Sequence, residues 1–153
     1  MTEDELRSKV RFFIQDRKSL NKLLGSEYEV DDDTIDICAS IGLTYINNIP
    51  PYFITFGSTI ETFSQEDMLV LSTSLFVLQS AAMGQDRNTL QFNDGGISLI
   101  LDNKSPFYHR HVALLTQQLN QMVSSRKIAA NINGFIETTD SHSIDSSGNL
   151  LER

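Results

Sequence analysis

The sequence holds one cysteine, Cys38, among its 153 residues. An intrachain disulfide and a cysteine zinc cluster are both excluded, and a lone thiol on an apolar helix stripe reads as a small buried hydrophobe. The chain also lacks any uninterrupted apolar run of the roughly 18 to 20 residues that a membrane-spanning helix needs. It opens Met-Thr-Glu-Asp-Glu, with acids where a secretory leader carries positive charge ahead of a greasy run. We therefore expect it to fold in the compartment where it is made. Bases are scarce too: twelve Lys and Arg stand against twenty Asp and Glu, for a net charge of −8. Such a surface repels a phosphate backbone, so sequence-independent binding to DNA or RNA is not expected.

What is present fits one domain with a real core, since 40% of the residues are apolar. Three-to-four spacing of Leu6, Val10, Phe13, Arg17, Leu20 and Leu24 predicts a first helix from about Glu3 to Leu24, stopped by Gly25. A second helix is predicted to start in Asp31-Asp32-Asp33, whose carboxylates cap free amides, and to end at Pro50-Pro51. Its expected stripe is Ile35, Cys38, Ile41, Tyr45 and Ile49, with Gly42 marking a close helix crossing. The connector from Tyr52 to Phe63 is too aromatic for a solvated loop: it packs over the helices or forms a surface for a partner.

Ser64 and Asp67 read as a capping-box pair at the head of a third helix. Its apolar face is wide enough to pack on more than one side. The period then shortens. Residues 90–92 and 97–101 alternate around Asn93-Asp94-Gly95-Gly96, a hairpin signal. Ser105-Pro106 opens a last long helix with the stripe Tyr108, Val112, Leu115, Leu119 and Met122. Its other face (Gln117, Gln118, Asn120, Gln121, Ser124, Ser125) is polar yet nearly uncharged, which suits a wet protein contact. Beyond about Asn131 the pattern dissolves into Asn, Ser, Thr, Asp and Gly, and we expect an extended C-terminal arm. The fold class expected is mainly α, a bundle of about four helices with one hairpin at 90–101. The domain is placed at 1–130 and the arm at 131–153.

No chemistry of known type emerges. His109 and His111 lie two apart on a helix and diverge by roughly 200°, where a metal pair wants a spacing of three or four. Asp31-Asp32-Asp33 lacks the alternate acids, glycine and distal glutamate of a calcium loop. Asp94-Gly95-Gly96 lacks the Lys-Ser/Thr of a phosphate loop and precedes a strand. No nucleophile elbow or triad order is present. The residues call for no metal, no cofactor and no enzyme activity.

Two features carry a resemblance. One is the order of elements: helix, acid-capped helix, aromatic connector, broad apolar helix, hairpin, polar-faced helix. The other is the run from Ser64-Gln65-Glu66-Asp67-Met68-Leu69 through Arg87-Asn88-Thr89-Leu90-Gln91-Phe92-Asn93-Asp94-Gly95-Gly96 to the helix at 108–127. Together they resemble the small head–tail connector (neck or adaptor) proteins of tailed bacteriophages. The resemblance implies a structural virion protein at the portal vertex, present in the host cytoplasm during assembly. It implies self-association into a ring, commonly of twelve copies, beneath the portal. The ring would contact portal protein and other neck or tail proteins, extend the DNA channel and touch no membrane. An acidic lumen would let DNA pass without adhering. Candidate contacts are Tyr52, Phe53 and Phe56 in the connector; Phe92, Asn93, Asp94, Gly95, Gly96 and Ile97 in the hairpin; and Asn131, Phe135 and Ile136 in the arm. The alternative is a cytosolic helical interaction module or virion-assembly factor, separable by oligomeric state.

Overall fold

The computed structural model describes residues 1–19, 27–52, 55–88, 91–94, 97–100 and 105–140. Helix α1 spans Glu3–Phe13 and opens on a full capping box. Thr2 Oγ1 accepts from Glu5 N, and the Glu5 carboxylate accepts from Thr2 N at 2.9 Å. That satisfies two amides with no partner inside the helix.

α1 stops well short of the predicted Leu24. Gln15 adopts a left-handed φ of 62°, which breaks the helix, and Asp16 turns its side chain into the protein. There its carboxylate accepts from Glu29 N at 2.9 Å, Val30 N at 3.1 Å and the Arg11 guanidinium at 2.9 Å. Arg11 also reaches Asp32 and the Val30 carbonyl. A buried acid that gathers two amides and a guanidinium ties the return of the chain to the end of α1, and this outweighs the continuing apolar spacing. Leu20, Leu24 and Gly25 lie outside the described residues.

Helix α2 (Asp32–Asn48) begins as predicted, with Asp31 at the N-cap accepting from Thr34 N at 2.6 Å. Hydrogen bonding from Thr34, its side chain first and its backbone amide second, holds the Asp31 carboxyl below the usual carboxylate range. The helix ends at Ile49, just ahead of Pro50-Pro51. Its buried face is Ile35, Cys38, Ala39, Gly42, Leu43 and Ile46. Ile41 does not belong to that face: six residues past Ile35, it sits about 240° round the wheel and is exposed.

Helix α3 (Glu66–Asn88) is the central element, packed against α1, α2 and the last helix. Met68, Leu69, Leu71, Leu75 and Val77 are buried along it, and so are Ser72, Thr73 and Ser74. Its hydropathy and length over Glu66–Arg87 match those of a membrane span, but here its neighbours cover the apolar side. Gly42 is the predicted crossing point: a Cβ there would stand 2.6 Å from Ser72 Oγ. The capping box expected at its head does not form. Ser64 turns to the Phe56 carbonyl, and Asp67 is taken by Arg126 at 3.0 and 2.5 Å. A guanidinium fork offers the carboxylate two charge-assisted bonds where the cap offered one.

After α3 the backbone of β1 (Gln91–Asp94) runs antiparallel to β2 (Ile97–Ile100), with Phe92 opposite Leu99 and Asp94 opposite Ile97. Gly95 and Gly96 lie outside the described residues. Helix α4 (Ser105–Asp140) then returns along α3. Leu119 and Val123 are buried on it, and Val112, Leu115 and Met122 pack half-buried against the core. α4 stays helical to Asp140, so helix occupies residues 131–140, where an extended arm was expected. Ala129-Ala130 favours helix and no proline follows Pro106, so a helix already anchored by packing propagates at little cost. Residues 141–153 lie outside the described residues. The fold is a mainly α helical bundle, with four helices among the described residues.

Candidate interaction surface

The connector splits by role. Phe56 and Phe63 turn inward, edge to face with ring centroids 6.1 Å apart, and both are buried. Phe56 is therefore a core residue and unavailable as a contact. Tyr52 is 68% exposed, and Phe53 lies outside the described residues. Asn47 holds the connector, accepting from Phe56 N and donating to the Gly57 carbonyl at 3.0 Å. Gly57 has φ 134°, and a Cβ there would meet the Thr62 carbonyl at 2.6 Å, so the turn requires glycine.

The same end of α2 holds a feature the sequence did not disclose. Lys127, on α4, is fully buried. Its Nζ donates to the Asn47 carbonyl at 2.9 Å and the Ile49 carbonyl at 2.6 Å. These are carbonyls at the C-terminal end of α2, where the helix dipole favours a cation. Burial pushes the lysine's pKa below its ordinary value. Nearby, Tyr45 Oη donates to Asn120 Oδ1 at 2.8 Å and lies edge-on to Phe76. Asn120 is thus partly used inside the fold, and only part of the polar face faces outward.

That outward part has a regular spacing. Phe107, His111, Leu114 and Gln118, then Gln121, Ser125, Ile128 and Ile132, are all exposed, and they alternate steps of four and three. This is the period of a coiled-coil seam, and over these residues it runs about 38 Å at the helical rise. The ends are apolar, the middle is amide and hydroxyl, and the stripe carries no fixed charge. Asn131 is exposed beside its C-terminal end, and Phe135 and Ile136 follow in the same helix.

A second exposed stripe, on α2, consists of Ile37, Ile41, Thr44 and Asn48. Ile41 and Thr44, with Tyr45 and Phe76, line a shallow groove of about 420 Å³. A larger groove, about 890 Å³, lies between α1 and α3. Phe12 and Phe13 wall it, Val70, Leu71 and Met122 also line it, and Lys9 and Glu66 face each other across its edge at 2.7 Å. The pair raises the Lys9 pKa and lowers that of Glu66.

The described residues that line these two grooves include no histidine and no cysteine. Among the described residues no group of three or more His, Cys, Asp or Glu is placed to hold a metal ion. His109 Nε2 lies 2.9 Å from Asp86 Oδ2, while His111 stands in the α4 stripe. Cys38 is buried, and burial pushes its thiol pKa up. No family model, curated protein or solved structure matches this chain.

Proposed function

We propose that this protein is a structural component of a tailed-bacteriophage neck, forming a ring between portal and tail that extends the DNA channel. The observation that carries the reading is the long exposed seam of α4, free of fixed charge on a molecule of net charge −8. An unpaired helix face of that length is built for protein contact and has no use in a small-molecule site. The order of elements supports the same reading. In it, the hairpin at 90–101 and the chain from Asn131 onward reach neighbouring subunits or the next neck component, as strands and helix ends do in other assemblies. Tyr52, exposed at the start of the connector, belongs to the same set of contacts.

Mass in solution tests the proposal, by light scattering on the purified chain alone and then mixed with candidate portal and tail proteins. A ring of many copies, alone or formed on a portal, supports it. A stable monomer or dimer that ignores every virion component overturns it and favours a cytosolic interaction module.

A further inference from the structure

Charge is segregated along this chain. No Lys or Arg occurs between residues 23 and 86, and no Asp or Glu between 103 and 136. The first stretch contains α2 and the second contains most of α4, so the helices that carry the two exposed stripes differ in the sign of their own charged residues. The α4 seam is flanked by Arg110, and the α2 stripe begins at Asp33. Both side chains are exposed, and neither makes an ion pair among the described residues. In each helix the charged residue precedes an exposed apolar one by four positions: Arg110 before Leu114, Asp33 before Ile37.

We propose that the α4 seam of one copy docks on the α2 stripe of a second copy, with Arg110 facing Asp33. A contact of α4 with another α4 would offer no carboxylate to either arginine, whereas α2 supplies one in matching register. Both stripes lie on the outer side of helices whose inner faces are already filled by α3, so docking needs no rearrangement. The contact joins two different faces. It is therefore heterologous: a joined pair still has one free stripe, on the copy that gave its seam, and one free seam, on the other, which is the condition for a ring. The inference rests on the ring reading above and names the contact that would build it.

The test uses two variants of the full chain, Ile37→Glu and Leu114→Glu. The two positions are 62% and 50% exposed, so neither change disturbs the core, and circular dichroism checks the fold. Each places a carboxylate in an apolar contact, where it is costly to desolvate. Native mass spectrometry of the wild-type chain should show many copies, and each variant alone a single copy. An equimolar mixture of the two should show two copies and no more, because one intact seam meets one intact stripe. If both variants still assemble as the wild type does, the inference falls while the neck reading stands. If Ile37→Glu alone forms dimers, α4 pairs with α4 and the inference falls, while the neck reading is decided by mixing with a portal. A wild-type chain that stays a single copy at every concentration also overturns the inference, and the mixing experiment with a portal then decides the neck reading separately.

Discussion

At residue scale, stability concentrates where two helices touch through their smallest side chains. Gly42 sits against Ser72, whose hydroxyl is itself spent on the Leu69 carbonyl at 3.0 Å. Gly42→Ala drives a methyl into that hydroxyl, so we expect a loss of about 1–3 kcal/mol, read by urea denaturation. Pairing it with Ser72→Ala should recover part of the loss, because the nearest remaining atom would be the Cβ at 3.2 Å. Full additivity of the two changes would count against the contact. Lys127 makes the opposite kind of demand: a fully buried ammonium, among the described residues, with two carbonyls and no carboxylate. Lys127→Met keeps the bulk and removes the donors, leaving two helix-end carbonyls unpaired. We expect it to cost about 1–3 kcal/mol. The lowered pKa has its own signature. Between the folded value and the ordinary lysine value near 10.4, the unfolded chain holds more protons, so this group makes stability rise with pH across that window. In Lys127→Met that rise should be absent, which denaturation midpoints at several alkaline pH values can check.

At the scale of elements, the ends of helices decide how far the sequence can be read. α2 is legible because both of its stops are local: Asp31 caps its own third neighbour, and Pro50-Pro51 forbids continuation. The depth of α3 is legible from its width of apolar residues. The end of α1 is not, because the side chain that fixes it, Asp16, finds its amides at residues 29 and 30. Nothing in the spacing of Leu20 and Leu24 reports a partner so distant along the chain. Asp16→Ala strips two amides and leaves Arg11 with less compensation in a buried site, so we expect a loss of about 3–5 kcal/mol by thermal or chemical denaturation. A change below 1 kcal/mol would mean that the carboxylate does not organise this corner. Asp31 and Glu66, both held below the usual carboxylate range, set the acid side. Their contribution is full above the ordinary value of about 4 and is lost as pH falls through the lowered folded values. Asp31→Ala should therefore flatten the acid limb of the stability profile. The candidate surface was half legible. Its uncharged Gln and Ser were plain in the sequence, but its length was not, because Ile128 and Ile132 prolong the seam only if the helix continues past the expected boundary.

At the scale of the molecule, one helix serves two tasks in succession along its length. From Val112 to Lys127, α4 fills the bundle, ending with Val123 buried in the core and Lys127 holding the end of α2. From Ile128 onward its described side chains, through Ile132, are exposed. The body should therefore be separable from the overhang. A chain ended after Ala130 keeps every buried side chain of α4 among the described residues, so we expect its stability to stay within about 0.5 kcal/mol of the full chain, the usual range for surface changes. A chain ended after Gln121 loses Met122, Val123, Arg126 and Lys127 together, and with them part of the core and the cap on α2. We expect it not to fold cooperatively. Thermal unfolding followed by circular dichroism distinguishes the cases. If the chain ended after Ala130 melts many degrees lower, residues beyond 130 belong to the folding unit, and the division between a body that folds and an end that reaches outward is wrong. If it melts with the full chain yet no longer assembles, that end of α4 is spent on partners.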